Sequence, residues 1–170
     1  MNKTSFETER KFLIEYPDIQ KLESFDGYKK LNIEQTYLKG DGKKTLRVRK
    51  TECYGKLTYK FNSKTRINSL TCIEEEKDIC KEEYEELLKL KNASKNTIIK
   101  ERHVLPYENH FLEIDIYPFW HDRAILEIEL ESENEPFCVP DIIKIIKEVT
   151  CDKRYKNAFL AENIPNDIIK

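Results

Sequence analysis

Glycine is scarce, with four in 170 residues. That scarcity excludes the glycine-rich loops in which many proteins cradle phosphates, and no GxxxxGK string occurs. The five cysteines (Cys53, Cys72, Cys80, Cys138 and Cys151) are odd in number and include no CxxC pair. A zinc site, a dithiol redox centre and a disulfide framework are all disfavoured, and the thiols read as reduced ones of a cytoplasmic protein. No apolar run is long enough to span a bilayer, and Met1-Asn2-Lys3-Thr4-Ser5 carries no apolar signal segment. An excess of either charge is also missing, since 30 Lys and Arg stand against 32 Asp and Glu. A nucleic-acid binder shows a basic surplus, so neither nucleic acid nor membrane is an expected partner.

What the chain does have is charge density. Charged residues make up 36% of it, above the average quarter, while 39% apolar content is too high for disorder. The length suits one domain over residues 1–170. The pattern predicts strands at Phe6–Ile14, Tyr28–Lys39, Lys44–Thr51, Lys56–Phe61, Leu70–Ile79, Thr97–Leu105, His110–Tyr117 and Ala124–Glu131. Ile19–Phe25 reads as a short helix or turn, Gly40-Asp41-Gly42 as a turn, and Asn62–Ser69 as a polar loop. A helix is expected at Lys81–Leu90, another around Ile142–Ile146 after Pro140, and a last short one at Tyr155–Glu162.

Side chains alternate across a strand, so each strand can be read face by face. On the first, Glu7, Glu9 and Lys11 share a face, and Phe12 and Ile14 lie on the other. On the third, Arg47 and Arg49 oppose Leu46 and Val48; on the fourth, Lys60 opposes Leu57, Tyr59 and Phe61. The fifth carries Glu74 and Glu76 together, and the sixth Lys100 and Arg102. Glu113 and Asp115 on the seventh oppose Leu112, Ile114 and Ile116, while Glu127 and Glu129 on the eighth oppose Leu126, Ile128 and Leu130. Like charges gather by strand rather than mixing, which a merely solvated face would not require. The expected fold is mainly β (α+β): an eight-stranded antiparallel closed β-barrel, or tunnel, with a charged lumen and a few covering helices.

Such a lumen would hold the acids Glu7, Glu9, Glu74, Glu76, Glu113, Asp115, Glu127 and Glu129, and the bases Lys11, Arg47, Arg49, Lys60, Lys100 and Arg102. Buried charges must be paired or must coordinate something. A polyphosphate with divalent metal meets both needs, because guanidiniums and ammoniums take phosphate oxygens while carboxylates hold Mg²⁺ or Mn²⁺. His103, His110 and His121 match no ligand spacing and read as surface or structural, and Trp120 as packing.

These motifs resemble the CYTH, or triphosphate tunnel metalloenzyme, superfamily, with its bacterial inorganic triphosphatase members the most similar. Glu7-Thr8-Glu9-Arg10-Lys11 looks like its ExExK strand, Arg47-Val48-Arg49 its RxR, Leu57-Thr58-Tyr59-Lys60 its single-lysine strand, Glu74-Glu75-Glu76 its ExE and Lys100-Glu101-Arg102 its KxR. Glu113-Ile114-Asp115 and Glu127-Ile128-Glu129 resemble the closing acidic strands, and Glu148–Asn157 with Leu160-Ala161 the tail of inorganic triphosphatases. The resemblance implies a metal-dependent enzyme acting on triphosphates, often as a homodimer. It implies metal ligation by the ExExK and eighth-strand acids and phosphate binding by the inward Lys and Arg. It also implies a tyrosine paired with the ExExK lysine, for which Tyr37 in Gln35-Thr36-Tyr37-Leu38 is the candidate beside Lys11. Two departures, Cys72 in place of a frequent arginine and Thr36 in place of a frequent glycine, bear on substrate preference.

The expected activity is hydrolysis of inorganic triphosphate to pyrophosphate and phosphate. Class IV adenylyl cyclase, thiamine triphosphatase and a non-catalytic polyphosphate-binding module are the alternatives. The expected metal ligands are Glu7, Glu9, Glu74, Glu76, Asp115, Glu127 and Glu129.

Overall fold

The computed structural model describes residues 2–40, 44–67 and 71–168, and the side chains of residues 2–7, 66, 71 and 72 fall outside that description. Most of the Gly40-Asp41-Gly42 turn, the start of the strand expected from Leu70, and the side chains of Glu7 and Cys72 therefore lie outside the described residues. In chain order the elements are β1 (Asn2–Glu15), α1 (Ile19–Glu23), β2 (Lys29–Tyr37), β3 (Thr45–Cys53), β4 (Lys56–Arg66), β5 (Thr71–Ile79), α2 (Lys81–Leu88), β6 (Ile98–Tyr107), β7 (His110–Ile116), β8 (Arg123–Leu130) and β9 (Ile145–Glu148). A 3-10 turn (Lys153–Tyr155) and the short helix α3 (Asn157–Leu160) follow.

All the strand pairings are antiparallel, in the order β5-β4-β3-β2-β6-β7-β8-β1-β9. β1 also pairs with β5, so the order of eight strands returns to its start. The return is made by halves. Asn2 to Thr8 of β1 pair with β5, and Thr8 to Glu15 pair with β8. The ring is thus a cycle of pairings in which β1 divides itself between two neighbours, with no single ladder closing it along the whole strand. Between β3 and β4, Tyr54 and Gly55 have φ of 50° and 78°, the left-handed pair that a two-residue hairpin needs to match strand twist.

The outward faces form the apolar core. Phe12, Ile14, Leu105, Leu112, Ile114, Leu126 and Ile128 pack under Leu22 of α1 and under Ile143, with Ile19, Phe25, Phe137, Val139 and Ile142 around them. Each such side chain contributes about 1.5–3 kcal/mol on burial. On the other flank Val48 and Leu38 lie against Tyr84 of α2, whose ring is 5.0 Å from that of Tyr59. Among the described residues no helix is long and apolar enough to cross a membrane.

Three expectations need correction. Asn62–Ser69 is not a loop over its first part: β4 continues to Arg66. Asn62 and Lys64 face the charged lumen, where Asn62 is fully buried, so polarity there marks the inner face rather than a break. The residues around Ile142–Ile146 do not form a helix; Ile145–Glu148 is a strand on the free edge of β1, as β-branched side chains favour. Cover on that flank comes from α1 and an irregular segment. The helix expected over Tyr155–Glu162 is shorter and split into the 3-10 turn and α3.

Val48 is fully buried on the outer face while Arg47, its neighbour, points into the lumen. Val48→Asp should lower the unfolding midpoint sharply by placing an unpaired carboxylate under α2. Arg47→Ala should keep the midpoint close to wild type and lose lumen function instead. Thermal denaturation and activity measured on both variants check the assignment of faces.

Candidate active site

The lumen encloses a cavity of about 500 Å³. Its walls carry six acids (Glu9, Glu74, Glu76, Glu113, Glu127, Glu129) and seven bases (Lys11, Lys44, Arg47, Arg49, Lys64, Arg102, Lys156), together with Tyr37, Thr45, Asn157 and Ala158. A larger groove of about 640 Å³ lies elsewhere, beside Tyr16, Leu57 and Ile99. Its charged residues are Glu34, Lys50, Glu52, Lys100 and Glu101, far fewer than gather around the lumen, so the lumen is the candidate site.

Register explains how the charges meet. Lys11 of β1 is opposite Glu127 of β8, and Glu127 is opposite Glu113 of β7. The Lys11 ammonium is 2.5 Å from the Glu127 carboxylate, and Arg102 reaches Glu127 at 2.6 Å from the other side. Burial opposes the charge on Lys11, but Glu127, Glu9 and Asp115 outweigh it and hold its pKa above the usual value. Burial likewise opposes ionisation of Glu127, yet Lys11, Arg102 and Lys100 keep its carboxyl well below the usual range. Arg102 also binds Asp115 at 2.6 and 2.7 Å and pairs with Glu113. Across the lumen Glu74 takes Arg47 at 3.0 Å, Lys64 at 3.2 Å and Asn62 at 2.7 Å. Glu76 accepts from Asn62 at 2.9 Å and pairs with Lys60.

Two places are left out of balance. Among the described residues the Arg49 guanidinium makes one 3.4 Å hydrogen bond, to Gln35, and its Nε has no partner. Burial, then the charges of Arg47 and Arg102, bring its pKa down to about 10. A guanidinium with cationic neighbours and so little compensation is a receptor for an anion. The second place is acidic. Glu9 and Glu129 are directly opposite on β1 and β8, about 5 Å apart at Cβ, and both line the cavity. Neither has an ion-pair or hydrogen-bond partner among the described residues. Burial, then Glu113 and Glu9, push the Glu129 carboxyl above its usual pKa. Two facing carboxylates short of a cation match the donor set of a hard divalent ion. Glu7 is the next residue on that face of β1. Among the described residues no three His, Cys, Asp or Glu side chains converge as a metal cage.

Tyr37 is buried at the cavity wall, where its hydroxyl accepts from Gln35 Nε2 at 2.8 Å and bonds with Arg47. Burial raises its pKa against the pull of Arg47, Lys11 and Arg49, so it stands as a neutral phenol. The Lys11–Tyr37 pairing that the resemblance implies is not a hydrogen bond here, because Lys11 is committed to Glu127. Three expected lumen groups stand off the cavity wall. Lys60 sits with Glu76 and Asp78. Lys100 and Asp115 form a buried ion pair beneath the Tyr117 ring, and burial with Arg102 nearby brings Lys100 down to about 8.

One end of the lumen is not charged. Leu13, Tyr37, Ile98 and Ile125 meet Val149, Tyr155, Leu160 and Ala161 of the tail in a second apolar cluster with Tyr117 and Trp120. Val149 N–H donates to Lys11 O at 2.8 Å, Asn96 N–H to Ala161 O at 2.7 Å, and Tyr117 O–H to Asn157 at 2.7 Å. The tail plugs the ring at this end. Arg154, the tail residue with a readable charge, points away to Asp152 and Asp167.

The CYTH domain profile matches residues 5–155. The chain belongs to the CYTH family. Among solved structures, the inorganic triphosphatase NE1496 is 26% identical, with 94% of this chain and 97% of that one covered and a TM-score of 0.57. The PH1819 protein from Pyrococcus horikoshii OT3 shares the fold at 18% identity, with 75% of this chain and 80% of that one covered and a TM-score of 0.57. A Pyrococcus furiosus protein does so at 24% identity over 75% and 80%, with a TM-score of 0.56. No curated relative matches the chain.

Of the CYTH motifs read from sequence, the structure brings Glu9, Lys11, Tyr37, Arg47, Arg49, Glu74, Glu76, Arg102, Glu127 and Glu129 to one cavity. It adds Lys44, Lys64 and Lys156. Lys64 was hidden by reading residues 62–69 as a loop, though continued alternation through Asn62 and Lys64 was the available signal. Lys156 has no such signal, since it stands on a turn brought in from the tail.

The raised Glu129 pKa has a signed consequence. Its ionised form costs the fold stability above the folded pKa, and that cost fades as pH falls through it. Glu129→Gln in this CYTH chain should therefore unfold at a higher temperature than wild type at neutral pH, with the gap closing in acid. Unfolding midpoints measured across pH without added metal check this.

Proposed function

We propose that this CYTH protein is a divalent-metal-dependent triphosphatase that cleaves inorganic triphosphate to pyrophosphate and phosphate, with residues 1–170 acting as one domain. The observation that carries the reading is one cavity with an under-compensated guanidinium, Arg49, on one wall and, on another, the carboxylates Glu9 and Glu129, which have no ion-pair or hydrogen-bond partner among the described residues. A polyanion alone would satisfy the first and repel the second. A cation alone would do the reverse. Triphosphate with Mg²⁺ or Mn²⁺ answers both, and the likeness to an inorganic triphosphatase over nearly the whole chain supports the same substrate class.

In this reading Glu9 and Glu129, with Glu7 next on the strand, hold the metal. When bound, the metal polarises a phosphoryl oxygen and lowers the pKa of an attacking water. Arg47, Arg49 and Arg102 stabilise charge growing on phosphate oxygens, in a site whose charges are fixed in place before substrate arrives. Lys11 contributes an ammonium that Glu127 holds in position and keeps charged. Tyr37 is a donor rather than a base, because its phenol stays protonated; it orients Arg47 and can donate a hydrogen bond to a phosphate oxygen. Lys60, Lys100 and Asp115 act behind these groups: Lys60 fixes Glu76, and Asp115 fixes Arg102.

The deciding assay incubates the protein with inorganic triphosphate and with ATP, with and without Mg²⁺ or Mn²⁺. Phosphate and pyrophosphate from triphosphate, dependent on metal, are expected. Cyclic AMP and pyrophosphate from ATP as the main products would overturn the reading, as would full turnover after exhaustive chelation.

Two variant results follow. Glu7→Gln and Glu9→Gln should each abolish turnover with an unfolding midpoint near that of wild type. Arg49→Ala should lower kcat about 10²- to 10³-fold, the scale seen when a group that stabilises transition-state charge is removed. Steady-state kinetics beside thermal denaturation checks both.

A further inference from the structure

On the inner face of β2, Gln35 is a fully buried neutral amide set among charges. It is opposite Arg49 on β3 and Ile98 on β6, and Tyr37, two residues on, is opposite Arg47. Ile98 offers nothing polar. The amide instead bonds with the Arg49 guanidinium at 3.4 Å and the Tyr37 hydroxyl at 2.8 Å. The Tyr37 ring is itself fixed: it is buried in the cluster with Leu13, Ile98 and Tyr117, and Lys95 Nζ lies 5.6 Å from its centroid. Its backbone carbonyl accepts from Asn92 at 2.9 Å.

Hydrogen-bond polarity then dictates where each proton goes. A guanidinium has donors and no acceptor, so the Gln35 oxygen is the atom that faces Arg49. The amide NH₂ is thereby turned on Tyr37, whose oxygen has to accept. Arg47 donates to the same oxygen. Neither donor can take the phenol proton, and among the described residues it meets no acceptor. Tyr37 lines the cavity, and the lumen is the side left open to that proton. The amide oxygen also steadies Arg49 without neutralising it, because it offers a dipole and not a charge.

We propose that Gln35 is a positioning residue, which aims the Tyr37 proton into the lumen and holds Arg49 there with its charge uncancelled. This rests on the triphosphate reading above. Both effects serve phosphate oxygens that gain charge in the transition state, so they appear in kcat more than in KM.

Gln35→Glu keeps the shape of the side chain and reverses its polarity. The carboxylate accepts from Arg49 and Tyr37 alike, turning the phenol proton away from the lumen and cancelling the guanidinium. With inorganic triphosphate and Mg²⁺ it should lower kcat about 10²- to 10³-fold, while the unfolding midpoint without ligand stays at or above that of wild type. Gln35→Met leaves the phenol free to turn and should lose about tenfold, the scale of one hydrogen bond. A purely structural amide would instead couple loss of activity to loss of stability. NMR of protein carrying ¹³Cζ-tyrosine, with the Tyr37 signal assigned by Tyr37→Phe, reads the proton directly. In wild type that signal should move downfield when triphosphate and Mg²⁺ supply an acceptor, an arm that stands even where Gln35→Glu fails to fold. In Gln35→Glu it should already lie downfield without them. A folded Gln35→Glu with wild-type kcat, or wild type that turns over triphosphate with an unmoved Tyr37 signal, overturns this inference and leaves the triphosphatase reading intact. Wild type that turns over no triphosphate overturns that reading, and equal ligand-free Tyr37 signals in wild type and Gln35→Glu overturn the inference as well.

Discussion

The constraint on which the molecule depends is that charge turned inward has to be compensated inward. Lys11, Glu127 and Arg102 form the knot of that compensation, tying β1, β8 and β6 together with contacts of 2.5 and 2.6 Å. A buried ion whose partner is removed costs several kcal/mol, so the members of the knot hold one another in place. The apolar residues are then free to face outward, where α1, α2 and the segment before β9 cover them. The usual arrangement of a small protein, oil inside and charge outside, is inverted in the ring, and the compensation network is what makes the inversion tolerable.

The network is nearly complete but not quite, and the shortfall is where the proposed function is seated. Glu76 and Glu113 have cationic partners at hand, and Glu74, Glu127 and Asp115 have two each. Arg49, Glu9 and Glu129 do not receive equivalent neutralisation. Full pairing would give a stable but idle barrel. Leaving one guanidinium and one carboxylate pair short on the walls of a single cavity stores a preference for a ligand bearing both signs.

Much of this was legible in the sequence because alternation reports faces directly. Glu9-x-Lys11, Arg47-x-Arg49 and Glu127-x-Glu129 each place two charges on one side of a strand, and the structure gathers them at one cavity. The same logic failed where polarity was taken as a break. Asn62 and Lys64 continue the alternation of β4, but in a chain whose inner face is polar they look like loop residues. The isoleucines near residue 145 were read as a helical stripe, whereas the open edge of β1 recruits them as a strand. Such an edge exists only in three dimensions. Lys156 was illegible for a related reason, since its position follows from tail docking rather than from any local period. Lys100 and Asp115 show the reverse limit: alternation groups them with the charged face, but they are buried against each other and stand off the cavity wall.

The division of β1 between two neighbours has a consequence for how the molecule is made. β1 is the first strand of the chain, yet its partners begin at residue 71 in β5, at residue 123 in β8 and at residue 145 in β9. Each pairing closes a long loop, which is the slow part of assembling a β-rich topology. During synthesis β2, β3, β4 and β5 can zip as successive neighbours apart from the β2–β6 seam, while β1 waits with both edges bare. Its alternation of charged and apolar residues then serves a purpose before any ligand is present. Glu7, Glu9, Arg10 and Lys11 make a poor template for the identical strand of another chain, as charge on an exposed edge does generally. Glu9 and Lys11, which later line the tunnel, thus also help keep this strand from pairing with its own copy until its last partners arrive.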